Sequence, residues 1–219
     1  TLGASSMTAK PYNKEFGLPS EEFIHIECPH YWKYALENET EEEFSLRMAK
    51  NLEEKIIKED PETIAGFVAE PVQGAGGCIP PSKSYFDLVQ PILKKYNIPF
   101  IADEVICGFG RTGNLWGCET YNIKPDIIIS SKCLTAGYFP MGAVIVNKEF
   151  SDKFVEVSEE AEEFPHGFTA GGHPVGCAIA LKAIDVIMNE GLLDNVKLME
   201  PYFFERLNEF NDYEHIGET

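Results

Sequence analysis

The sequence predicts an α/β fold built on a mainly parallel sheet flanked by helices, and three observations carry that prediction. Strand-like and helix-like segments begin by alternating along the chain. The strand-like runs FIAD and DIIIS are apolar without polar alternation, the habit of parallel strands covered on both faces. No internal repeat or low-complexity linker divides the 219 residues, so a single well-packed core is expected.

The elements follow in order. After an irregular stretch through CPHYW, Thr40 and Glu43 form a capping-box pattern. Phe44, Met48, Leu52 and Ile56 then recur every four residues, which predicts an amphipathic helix. Residues 63–70 (TIAGFVAE) read as a strand, 85–96 as a helix, and 99–103 and 126–130 as two further strands. Such short apolar runs could also be turns of buried helix, but their length and the prolines and glycines around them favour strand. Residues 143–147 (AVIVN) add another strand. The stretch 174–189 has Ala, Ile and Leu at helical spacing, with Gly191 after it to stop the helix, and a last helix is expected over 196–210.

Composition narrows the function. Hydrophobic residues make up 44% and charged residues 25%, the balance of a globular protein. With 18 Lys and Arg against 36 Asp and Glu, the formal charge is −18, which repels nucleic acid and anionic membranes at long range. No apolar run approaches the roughly 18 residues of a membrane span and no leader-like segment opens the chain, so a cytoplasmic enzyme is expected. The six cysteines make no CxxC or metal-ligand pattern and are expected as free thiols; no metal site is predicted. The acidic runs 37–43 and 156–163 lack the spacing of a calcium loop and are read as solvated surface. The chain opens on TLGASSMTAK, which reads like the inside of a helix, and stops at NDYEHIGET without a closing element. It is therefore expected to be a fragment.

Ionisable residues gather at strand ends. Glu70 closes the first strand, Asp103 the second, and Lys132 follows the third by two residues. In open α/β sheets ligands bind beyond the carboxyl ends of the strands, so these three side chains are candidates for one site. Each taken alone is as readily the polar residue that ends a strand at solvent. Together they suit a cofactor with an aldehyde and a basic ring nitrogen: Lys132 would form a Schiff base, and Asp103 would keep the ring nitrogen protonated.

At these residues the sequence resembles a known family. ADEVICGFGRTG (102–113) followed by the lysine of SSKCLTAGYFPMGA (130–143) resembles the class III pyridoxal-phosphate aminotransferases. AEPVQGAGG before it and HGFTAGGHPVGCAIAL after it are similar to that family in the same order. CPHYWKY and EFPHGFT resemble its ω-amino acid or amine:pyruvate branch. The resemblance spans nearly the whole chain. It implies a fold type I transferase and assigns residues 1–219 to the middle of the large cofactor domain, with the small-domain portions from both termini absent.

Carried over position by position, the resemblance implies that Lys132 holds pyridoxal 5'-phosphate as an internal aldimine and then shuttles the substrate proton, while Asp103 pairs with the ring nitrogen. Val105 would pack under the ring, although ordinary core packing would also explain it. Glu70 would stand near the cofactor hydroxyl and the substrate. Thr169 would reach the phosphate of the neighbouring subunit's cofactor, with Phe168 beside it at the entrance; without the resemblance, Thr169 is equally a helix cap for the segment beginning near His173. The glycines at 74–77 are read as a tight connection, Arg111 as structural, and His30, His166 and His173 as hydrogen-bonding residues without a metal. The first phosphate loop, the ring-stacking aromatic and the substrate arginine of the family have no counterpart in these residues.

The expected activity is transfer of an amino group from an ω-amino acid or primary amine to an α-keto acid, with pyruvate the expected acceptor, by a homodimer. The alternatives are another class III reaction (2-oxoglutarate-linked transfer, aminomutase or decarboxylating transaminase) and an inactive fragment serving as a dimerisation scaffold.

Overall fold

The computed structural model describes residues 2–8, 11–17, 20–164 and 166–216. Its helices and strands run α1 Leu2–Met7, α2 Tyr31–Tyr34, α3 Glu41–Lys58, β1 Phe67–Ala69, α4 Tyr85–Lys95, β2 Phe100–Asp103, α5 Gly117–Thr120, β3 Ile127–Ser130, β4 Ala143–Val146, α6 Lys148–Glu160, α7 Pro174–Asn189 and α8 Leu192–Asn208. The strands form one sheet in the order β1-β2-β3-β4. The first three are parallel and β4 is antiparallel to β3, so the sheet is mainly parallel as predicted.

Helix α3 starts where the capping pattern places it. Thr40 Oγ1 accepts from the Glu43 amide at 3.3 Å, and Glu43 Oε2 accepts from the Thr40 amide at 2.9 Å. Phe44, Met48, Leu52 and Ile56 are all buried and pack with Tyr85, Phe86, Val89 and Leu93 of α4. This two-helix layer covers one face of the sheet through Phe67, Phe100, Ala102 and Ile128, the residues of alternate register on three strands. On the sheet itself Val68, Val144 and Ile145 are exposed, so the expectation of cover on both faces is met only in part among the described residues.

All four strands are shorter than the sequence suggests, β2, β3 and β4 by a single residue each. Thr63 belongs to a 3-10 turn, where its hydroxyl donates to the carbonyls of Glu59 and Asp60, and β1 begins only at Phe67. Asp126 stands just before β3 and ties its neighbours: its carboxylate accepts from the Phe100 amide and the Asn147 side chain, each at 2.9 Å. Asn147 in turn caps α6, a helix the sequence reading did not assign. Helix α7 has the predicted bounds, and α8 starts earlier than predicted, directly after Gly191 at φ 72°. A second, smaller core joins Ala180 and Ile187 of α7 to Phe109 and Leu134, locking α7 against the segments that follow β2 and β3. No described helix is long and apolar enough to cross a membrane.

Candidate active site

The register brings the strand ends together. Ala69 pairs with Ala102, and Asp103 pairs with Ile129, so Glu70, Asp103 and the Ser130–Lys132 turn leave the same edge of three adjacent parallel strands. Glu70 is half-buried and turns back on its own chain, accepting from the Gly74 amide at 2.9 Å. That bond opens the tight connection expected of the glycine stretch. Gly74 is needed there because a Cβ would overlap the side chain of Ile106.

Asp103 is half-buried. Its Oδ1 accepts from the Val105 amide at 3.0 Å, and no other hydrogen bond to it is found among the described residues. One carboxylate oxygen is thus engaged in shaping the turn and the other remains for a ligand. Val105, also half-buried, follows directly. Burial pushes the Cys107 thiol up to about 11, and the carboxylates of Glu104, Glu70 and Asp103 add to the rise. The loop after β2 therefore lies in a negative field, which favours a cation such as a protonated ring nitrogen.

Lys132 sits in an uncommon backbone conformation. Its φ is 44°, a left-handed geometry that costs a lysine on the order of 1 kcal/mol or more and is held only where surroundings enforce it. Two hydroxyls enforce it here. Ser131 Oγ donates to the Met141 carbonyl at 2.9 Å, and Thr135 Oγ1 donates to the Phe139 carbonyl at 2.6 Å, so the returning chain is tied on both sides of the lysine. Thr135 is buried and Lys132 is exposed, with no acceptor on its ammonium among the described residues. Behind this loop, Gly176 of α7 approaches Phe139 so closely that a Cβ would come within 2.8 Å of the ring.

Phe168 and Thr169 belong to a different segment. Both are exposed in the turn before α7; Phe168 packs its ring 4.9 Å from that of His166, and its carbonyl accepts from the Gly171 amide. Thr169 does not cap α7. His173 does, through Nδ1 facing the Gly176 amide at 3.4 Å, which leaves the Thr169 hydroxyl without that structural duty. The six cysteines are free thiols, and no metal-binding cluster exists among the described residues.

Three residues that tie these loops escaped the sequence reading: Ser131, Thr135 and the buried Glu104 that separates Asp103 from Val105. Strand alternation was the available signal for Glu104, since it continues the face on which Ala102 is fully buried.

A lysine in a constrained turn beside a half-free aspartate, at the carboxyl edge of a parallel sheet, defines an α/β protein suited to an aldehyde cofactor with a basic ring. The family model for class III aminotransferases matches residues 1–219, and the chain belongs to that family, whose members use pyridoxal phosphate. It is 52% identical over its full length to a γ-aminobutyrate transaminase, designated mitochondrial, from Solanum lycopersicum, covering 42% of that protein. Among solved structures, an ω-aminotransferase from Paracoccus denitrificans is 61% identical with a TM-score of 0.97, matched along this whole chain and 49% of its own. The pyridoxamine-phosphate-bound form (PMP) of an aminotransferase from Vibrio fluvialis is 63% identical, also with a TM-score of 0.97, with 48% of that chain covered. The chain thus spans about half the length of the relatives it matches.

Proposed function

We propose that the protein moves amino groups from an ω-amino acid or primary amine to an α-keto acid, with pyruvate as acceptor, using pyridoxal phosphate held by Lys132. One observation carries this reading: Lys132, exposed and strained at φ 44°, stands in the turn that follows β3, the strand paired with that of Asp103, whose carboxylate keeps one oxygen free. The residues present fit the cofactor in charge, because Asp103, with one carboxylate oxygen outside its turn, stands at the strand edge with Glu70 and would face a protonated ring nitrogen. When bound, the cofactor supplies an electron-accepting ring and an aldehyde.

The chain's own residues do the rest. Lys132 would supply the amine that holds the aldehyde and would serve as the base for the substrate Cα proton. Asp103 holds the proton on the ring nitrogen. Val105 would bound the ring with an apolar face, and Glu70, at the end of the first strand, would stand near the cofactor hydroxyl and the substrate. Thr169, exposed and free of a capping role, would reach the phosphate of a neighbouring subunit's cofactor in a homodimer. The ω-amino and γ-aminobutyrate names of the relatives favour an amine remote from the carboxylate as donor.

The test is borohydride reduction of the pyridoxal-phosphate-loaded full-length protein followed by peptide mapping. Label at Lys132 is expected, and label at another lysine rejects the assignment. Half-reactions with pyruvate and 2-oxoglutarate in parallel then separate this reading from the 2-oxoglutarate-linked one.

A further inference from the structure

We propose that Glu104 is a positioning residue of the cofactor site: its buried carboxylate fixes the loop from β2 to α5 and so sets the direction in which Asp103 and Val105 face the ring. The inference rests on the pyridoxal-phosphate reading above and deepens it. Glu104 is 1% exposed, the most deeply buried charged side chain of the described core. Its Oε2 accepts from the Gly117 amide at 2.9 Å and its Oε1 from the Cys118 amide at 2.7 Å. Its own amide donates to the Ile129 carbonyl on β3 at 2.9 Å, and its carbonyl accepts from the Gly108 amide at 2.9 Å. One residue therefore ties β3, its own loop and the start of α5 together.

The surroundings are shaped around that carboxylate. A Cβ on Gly117 would stand 3.2 Å from Glu104 Oε2 and 2.6 Å from the Cys107 Cβ, and a Cβ on Gly108 would stand 2.7 Å from the Glu104 carbonyl. No side chain fits at either position without displacing the loop. No Lys or Arg pairs with Glu104 among the described residues; the two amides, with the Cys118 thiol hydrogen-bonded beside them, offset the cost of burying the carboxylate. For packing alone, an apolar residue of similar volume would serve with less penalty. What a carboxylate adds is a two-pronged, direction-specific anchor, set directly between the residue that engages the ring nitrogen and the residue that bounds the ring face. The Asp103 carboxylate is itself oriented by the Val105 amide, so a tilt of the peptide at Glu104 moves both.

The experiment compares full-length wild type and Glu104→Gln, each loaded with pyridoxal phosphate. Glutamine keeps the shape and one acceptor but turns an amide NH2 toward one of the two donors. The expected result is a cofactor Kd raised about tenfold, a displaced pH midpoint of the cofactor's visible absorbance, and a fall in kcat with little change in the KM for amine. A variant that loses only thermal stability, with Kd, absorbance and pH midpoint unchanged, overturns the positioning role. Wild type that acquires no visible absorbance overturns the cofactor reading together with it, whereas a normal wild type beside an unaltered variant overturns the role of Glu104 alone. If Glu104→Gln does not accumulate as folded protein, amide hydrogen exchange of the wild type decides. Cofactor loading is expected to slow exchange at Gly117 and Cys118 together with Val105, and protection at those two amides that ignores the cofactor overturns the proposal.

Discussion

The Thr135 hydroxyl donates a 2.6 Å hydrogen bond to the Phe139 carbonyl and, from a fully buried position, closes the loop that holds Lys132 in its left-handed turn. Thr135→Val keeps the volume but leaves that carbonyl without its partner. Stability is expected to fall by about 1–3 kcal/mol, the usual cost of an unmatched buried acceptor. Covalent cofactor uptake should slow as Lys132 relaxes toward common backbone angles. Urea unfolding and the rate of absorbance change on adding pyridoxal phosphate check both effects, and Thr135→Ser should restore them.

What the sequence revealed follows the range of the interactions involved. Helix α3 was legible because its cap and its four-residue apolar repeat lie within one stretch, and α7 because Pro174 opens it and Gly191 follows it. Strand β1 was read too long because Thr63 satisfies two carbonyls through its side chain, a local alternative to sheet pairing. Helix α6 was missed since none of its residues is buried, and its cap Asn147 read as the end of a strand. Asp103 and Lys132 were legible as strand-end residues. Glu104 was legible only as a buried position two residues past Ala102, and its role was not, because its partners Gly117 and Cys118 lie beyond a loop whose path no local pattern fixes.

Asp103→Asn is expected to separate chemistry from folding. Asparagine can still accept the Val105 amide through its carbonyl oxygen, so the turn survives. It cannot hold a proton on the ring nitrogen by charge, and half-reaction rates in the full-length enzyme should drop by about two orders of magnitude or more. Stopped-flow half-reactions beside circular dichroism check this, and near-normal rates in a folded variant would remove Asp103 from the catalytic role.

Glu39 and Arg47 give a pH-dependent contribution away from the site. The Arg47 guanidinium grips both Glu39 oxygens at 2.7 Å and holds the carboxyl at about 2, down from the ordinary 4.5. A depressed folded value stabilises at pH above the unfolded value and loses that stabilisation as pH falls through the folded one. The stability gap between wild type and Arg47→Gln should be widest near neutrality and narrow from about pH 4.5 to about pH 2. The contact of Arg47 with the Phe44 ring, 5.2 Å to the centroid, leaves a residue of the gap that does not titrate. Thermal midpoints of both proteins across that range, at low and high salt, test it; a gap that stays constant to pH 2 contradicts the ion-pair account.

Thr169 provides the most demanding test, because its proposed partner is another copy of the chain. The turn that bears it is exposed, and the capping duty that would explain a threonine there belongs to His173. A phosphate dianion needs several donors, and a hydroxyl supplied by a second subunit would link cofactor affinity to dimerisation through mass action. In a two-fold dimer each site would then combine Lys132 of one subunit with Thr169 of the partner subunit. Mixing a Lys132→Ala subunit with a Thr169→Ala subunit therefore places both lesions in one site and leaves the other intact. Activity per mixed dimer should recover toward about half the wild-type value, since one of two equivalent sites is whole, while Lys132→Ala alone is inactive and Thr169→Ala alone binds cofactor weakly. Heterodimers isolated with two affinity tags make the comparison direct. If they form and perform no better than the average of the two parents, Thr169 serves its own subunit and the shared site is ruled out.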